Sequence, residues 1–225
     1  MTHQQQGDTM SSSEPEFNDA REYSSLEEVM NTLLTAKGKS FRELDQTGRA
    51  LTGGNKGSLG QIIEESVLKY AIISDAAPDI HIGDTSYELK VTPLKHIKKG
   101  KQTSAKERLV IDIINYLTLA DETDFESSKM WDKAKNIILV YYYDDRTDKK
   151  KELRIDCKVL ASYLMKYEAD DLATIKNDWH VIRDKVASGH ADSLSESDTN
   201  YLAACTKGAN SKQLREAPAP ACANT

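Results

Sequence analysis

The run Asn136-Ile137-Ile138-Leu139-Val140-Tyr141-Tyr142-Tyr143 constrains this chain more than any other stretch. β-Branched and aromatic residues follow one another without a Gly, a Pro or a charge, which is the composition of a central strand. Asp144 to Asp148 supplies a turn, and Leu153 to Cys157 is expected to be the hairpin partner. Helices are expected over Lys158 to Leu164 and Asp170 to Ser188. Trp179, Ile182 and Val186 share one face of the second, with Trp179 a core residue rather than a base-stacking platform.

Upstream, Val29, Met30, Leu33 and Leu34 make an amphipathic helix of Glu27 to Leu34. Lys37 to Asn55 is loop-like, interrupted only by Phe41 to Leu44, and the glycines of 53–57 make a flexible entry to the next element. From Ser58 to Ala71 the apolar residues Leu59, Ile62, Ile63, Val67 and Tyr70 recur at helical spacing. Glu64 and Glu65 lie off that stripe and, taken by themselves, read as a solvated face. Leu109 to Leu119 is apolar enough for a strand or a helix, and periodicity leaves both open. Tyr201 to Cys205 is expected to be a short strand.

Chemistry concentrates in Pro78-Asp79-Ile80-His81-Ile82-Gly83-Asp84-Thr85-Ser86-Tyr87-Glu88-Leu89-Lys90-Val91-Thr92. Side chains two apart in a strand point the same way, so Glu88, Lys90 and Thr92 share one face and Tyr87, Leu89 and Val91 the other. The apolar face is expected to pack on a core, leaving an acid beside an amine on an open face. If the turn at Gly83-Asp84 brings Asp79 back beside Glu88, the two carboxylates can share a hard cation such as Mg2+. Lys90 would then orient or deprotonate a water, or hold a phosphate.

The net charge of −6 hides an asymmetry. The first 28 residues are strongly acidic. Between Lys90 and Arg108, however, Lys90, Lys95, Lys98, Lys99, Lys101, Lys106 and Arg108 face a single acid, Glu107. This basic loop, running from Pro93 to about Lys106 directly behind the candidate metal strand, is expected to contact phosphates. A second loop, Thr206 to Lys212, sets the amines Lys207 and Lys212 and the amide Asn210 among small residues, a composition suited to groove edges. No apolar run reaches membrane-spanning length, and no signal peptide is evident. Cys157, Cys205 and Cys222 lack metal or disulfide spacing and read as reduced cytosolic thiols. The expected organisation is a disordered acidic tail over 1–22, one catalytic domain over 23–216, and a disordered tail over 217–225.

Several separate stretches then match one family in order. These are Lys56-Gly57-Ser58-Leu59-Gly60-Gln61-Ile62-Ile63-Glu64, Pro78-Asp79, Glu88-Leu89-Lys90 and Lys133-Ala134-Lys135 ahead of a strand. Together they resemble the MutH-type endonucleases, which include the mismatch-repair nickase and the GATC-cutting type II restriction enzymes of the Sau group. Ser104 to Val110, Ile113 to Tyr116, Tyr201-Leu202-Ala203 and Thr206 to Asn210 are closer to the restriction branch. The resemblance implies an α/β PD-(D/E)xK fold, a mixed sheet with flanking helices, cutting double-stranded DNA at GATC with Mg2+. It implies Asp79 and Glu88 as metal carboxylates, Glu64 as a further metal or water contact, and Lys90 as the lysine of the motif. Lys133 falls at another active-site lysine, and Lys207, Asn210 and Lys212 fall in the part that approaches the recognition sequence. The chain accordingly reads as the N-terminal catalytic portion of a prokaryotic, cytoplasmic enzyme whose C-terminal MutH-like half lies beyond it. A mismatch-repair nickase and a non-catalytic, allosteric DNA-binding module are the alternatives.

Overall fold

The computed structural model describes residues 21–48, 57–70, 79–97, 99–147, 153–204 and 216–219. Lys98, Lys207, Asn210, Lys212 and Pro78 therefore lie outside the described residues, as do 1–20 of the expected N-terminal tail and 220–225 of the C-terminal one. The fold is mixed α/β, as expected. Helices α1 (Leu26–Leu34), α2 (Phe41–Leu44) and α3 (Ser58–Ile62) precede strands β1 (Ile80–Ile82), β2 (Thr85–Ile97) and β3 (Gln102–Ala105). Then come α4 (Tyr116–Asp121), α5 (Lys129–Ala134), β4 (Ile137–Tyr143), β5 (Val159–Leu164) and α6 (Ala169–Ala187). The five strands form one sheet in the order β1-β2-β4-β5, with β3 pairing β2. No described helix is long and apolar enough to cross a membrane.

The chain divides into two compact units. The first comprises Met1–Ser86, Val91–Lys106 and Val140–Ser162. Its helices start where the sequence provides caps. Ser25 accepts from the Glu28 N–H at 3.1 Å, and Ser40 and Glu43 form a reciprocal capping box ahead of α2. Val29, Phe41, Ile62, Ile63, Ile80, Val140 and Val159 are fully buried, and Phe41 meets Tyr142 edge-on at 5.2 Å.

After Ile62 the helix widens into a π-helical turn, Ile63–Val67. Leu68 N–H reaches back to Ile63 O at 2.9 Å, one residue further than an α-helix allows. The widening turns Glu65 inward, to 8% exposure, where Thr47 donates to it at 3.2 Å. Glu65 is thus not the solvated residue its spacing suggests.

The expected basic loop is instead a β-hairpin. β2 runs on to Ile97 and pairs antiparallel with β3, Lys95 opposite Ser104 and His96 opposite Thr103. The chain reverses through Lys99 and Gly100, both at positive φ, a conformation glycine adopts without strain. Counting charges hid the strand-forming residues between them.

Two other expectations give way. Leu153 to Cys157 contains a 3-10 turn, Arg154–Asp156, rather than a strand. On the side of β4 away from β2 the neighbour is β5, from a segment expected to be helical. Its apolar residues are too few to separate the two periods, and sheet pairing decided in favour of Val159 and Tyr163 as strand residues.

The second unit comprises Tyr87–Lys90, Glu107–Leu139 and Tyr163–Thr225. Leu119, Phe125, Ile175, Trp179, Ile182, Val186 and Leu194 form its core. Trp179 is 2% exposed and sits edge-on to Phe125 at 5.9 Å, as expected of a core residue. Of Leu109 to Leu119, only the end is regular: α4 starts at Tyr116 because Asn115 accepts from the N–H groups of Leu117 and Thr118. Residues 201–204 form no strand. They are held by Asp178, whose fully buried carboxylate accepts the backbone N–H groups of Asn200 (3.1 Å), Tyr201 (2.6 Å) and Leu202 (3.0 Å).

Candidate active site

In the first unit, the charges of Glu64 and Asp79 are both felt at Tyr70. The Tyr70 hydroxyl is buried and has no hydrogen-bond partner among the described residues. Burial raises its pKa far above the usual tyrosine range, and the negative charges of Glu64 and then Asp79 raise it further. Both carboxylates therefore act on one phenol. Tyr70 N–H also donates to Glu64 O at 3.2 Å, and the Arg21 guanidinium lies 5.8 Å from the ring centroid. The Glu64 carboxylate folds back over Gly60, where an added Cβ would stand 3.6 Å from Oε1. Asp79 immediately precedes β1, and Gly83, at φ +55°, makes the turn into β2. β1 is tied down further by Arg21 O, which accepts from His81 N–H at 2.9 Å, and by Tyr23 N–H, which donates to His81 O at 2.9 Å.

In the second unit, Lys90 Nζ donates to Glu88 Oε1 at 2.5 Å. The face carrying this pair is not open, contrary to its alternation. Glu88 and Thr92 are each 8% exposed, while on the other face Leu89 is buried as expected, at 6%, and Tyr87 and Val91 are half-buried. Glu88 N–H donates to Asn136 O at 2.9 Å, immediately ahead of β4. Alternation identifies which residues share a face but not which face is covered.

Lys133 is held by Asp112, at 3.2 Å, and Lys129 approaches the other oxygen of the same carboxylate at 3.3 Å. Burial pushes the Asp112 pKa up, but the Ile113 N–H, Lys133 and Lys129 outweigh it and the net shift is downward. Asp112 has no signal in the sequence, because it falls in a stretch without periodic structure. Tyr70 was legible only as an apolar position of a helix.

Among the predicted nucleic-acid contacts, Lys95, Lys99, Lys101 and Arg108 are exposed. Arg108 pairs with Glu196 at 2.8 Å on the surface. Lys106 Nζ lies 3.0 Å from Asp144, whose side chain is 1% exposed.

Among the described residues no group of three or more His, Cys, Asp or Glu side chains stands ready to hold a metal ion. The donor chemistry nevertheless fits a hard divalent cation, since Asp79, Glu64 and Glu88 offer only carboxylate oxygens. The Tyr70 hydroxyl, on which the charges of the first two act, is buried without a partner among the described residues.

The family model of the DNA mismatch repair enzyme MutH matches residues 68–178. The chain is 39% identical over 196 residues to the type II restriction enzyme Sau3AI of Staphylococcus aureus, covering 87% of this chain and 38% of that enzyme. It is 24% identical over 199 residues to the DNA mismatch repair protein MutH of Shewanella woodyi, covering 87% of this chain and 80% of that protein. The chain thus spans well under half the length of the restriction enzyme it matches.

Proposed function

The chain belongs to the MutH-type endonuclease family, and from that premise we propose that it is the catalytic domain of a type II restriction endonuclease. It hydrolyses phosphodiester bonds of double-stranded DNA at GATC in the presence of Mg2+. The observation that carries this reading is the Glu88–Lys90 pair, an acid and an amine two residues apart on one strand and hydrogen-bonded at 2.5 Å. The motif requires that juxtaposition, with Asp79 ahead of it in sequence.

Asp79 and Glu88 are the carboxylates that would hold the cation, and Glu64 would add a further contact to it or to water. Bound Mg2+ supplies Lewis-acid stabilisation of the charge that develops on the phosphate and its leaving oxygen. Lys90 positions the attacking water, as proton acceptor or as hydrogen-bond donor. Lys133, held on Asp112, is a second amine of the reaction. Lys95, Lys98, Lys99, Lys101 and Arg108 contact the DNA backbone. Lys207, Asn210 and Lys212 approach the recognition sequence.

The test is incubation of GATC-containing plasmid with Mg2+. Asp79→Ala and Lys90→Ala should each reduce cutting by at least about a hundredfold. Variants that cut as well as the parent would remove the assignment. The match to a mismatch repair protein supports a second reading, a nickase. Relaxed circles without linear DNA would favour that reading.

A further inference from the structure

The basic hairpin β2–β3 is gripped at its base and along its β2 limb by two consecutive acids, Asp144 and Asp145, which directly follow β4. Asp144 takes the β3 limb. Its Oδ1 lies 3.0 Å from Lys106 Nζ, and the same amine donates to its backbone carbonyl. Arg146 holds both oxygens of that carboxylate, at 2.7 and 3.0 Å, and Arg154 Nε stands 3.9 Å away. The Asp144 N–H donates to Leu94 O in β2 at 2.8 Å, and the Lys106 N–H to Pro93 O at 2.9 Å.

Asp145 takes the other limb. It accepts the His96 N–H at 2.7 Å and pairs with the ring Nδ1, while that ring stacks on Tyr143 at 4.2 Å. Lys95, between the two clamped residues Leu94 and His96, and Lys99 and Lys101, beyond them at the turn, are exposed. A two-stranded ribbon is marginal in water without such support. An amine that already bonds a buried carboxylate and a carbonyl is also not placed to displace counterions from a phosphate.

We propose that Asp144 and Asp145 form a clamp that aims the Lys95–Lys99–Lys101 hairpin at the DNA backbone. Lys106 belongs to that clamp and is not a phosphate contact. The inference rests on the DNA-cleaving reading above and makes Lys106, Asp144 and Asp145 positioning residues.

Salt dependence separates the two roles, because each neutralised phosphate steepens the fall of log affinity with log salt by about 0.9. Binding of a GATC duplex would be followed by fluorescence anisotropy without divalent metal, from about 50 to 200 mM salt. Lys99→Ala and Lys101→Ala should each flatten the slope by about 0.9. Lys106→Met and Asp145→Asn should keep the parental slope while weakening binding about tenfold at every salt concentration, the scale of one lost charge-assisted hydrogen bond. Lys106→Arg, which keeps a donor for Asp144, should recover most of that loss. Asp144→Asn is avoided because it threatens the fold itself.

If Lys106→Met flattens the slope as Lys101→Ala does, Lys106 is a phosphate contact and the clamp is wrong. If Lys106→Met and Asp145→Asn change neither slope nor affinity, the clamp positions nothing. If the parent shows no salt-dependent binding, or Lys99 and Lys101 leave its slope unmoved, the DNA reading fails and takes the inference with it.

Discussion

Lys90 Nζ reaches Glu88 Oε1 at 2.5 Å, and the Glu88 side chain it meets is only 9% exposed. A carboxylate so far from water needs its hydrogen-bond partner. The pair is therefore a structural commitment as well as a piece of candidate chemistry.

Lys90→Met should destabilise the protein by about 1–3 kcal/mol, because it strands a nearly buried acceptor. The double variant Lys90→Met, Glu88→Gln should cost less than the sum of the two single changes. Denaturant midpoints of the four proteins measure the coupling. Strict additivity would mean that the pair contributes nothing to folding.

Tyr70→Phe should leave stability unchanged or raise it by about 1 kcal/mol, since it deletes a buried hydroxyl that has no partner among the described residues. Urea unfolding gives the sign. A clear loss of stability would show that the hydroxyl is satisfied in solution.

Asp144 makes stability depend on pH. Arg146 foremost, and then Lys106, hold its carboxyl well below the usual range against the opposing effect of burial. A depressed carboxyl contributes stability that is fully present above its unfolded pKa of about 4 and is lost as pH falls toward the folded value. Asp144→Asn should cost about 3 kcal/mol at pH 7, with the gap to the parent narrowing below about pH 5. Chemical denaturation at stepped pH reads this directly. A gap that stays constant down to about pH 3 would contradict it.

Asp178→Ala should leave three backbone N–H groups without their acceptor and cost about 3 kcal/mol. Hydrogen exchange at Asn200, Tyr201 and Leu202 should accelerate well beyond that at Ile175 in the same core. Equal acceleration across the unit would indicate global rather than local loss.

Much of the fold was legible. The Ile137–Tyr143 strand, the long helix with its Trp179 face and the amphipathic helix before Thr35 follow from local composition and period. The order Glu64, Asp79, Glu88, Lys90, Lys133 is also a sequence property, but Glu64 and Lys133 enter the candidate site only through the family resemblance, since Glu64 by itself reads as a solvated residue. The failures share a cause. Val159–Leu164 is too short to reveal its period, and the charges of Lys95 to Lys106 concealed a strand pair. Glu65 turned inward only because a π-helical turn re-phased its helix.

The amino-acid sequence by itself determined which chemical groups this protein carries, their order and the strand on which the acid–amine pair sits. Those properties depend on covalent order and on two- or four-residue periods, which act within a few ångströms along the backbone. The tertiary structure alone decided the partners. It put Lys106 on an acid 38 residues away, Lys133 on one 21 residues away, and Glu88 under cover rather than on an open face. Pairings at that separation depend on which surfaces meet once burial and sheet formation have outweighed chain entropy, and no local pattern encodes them.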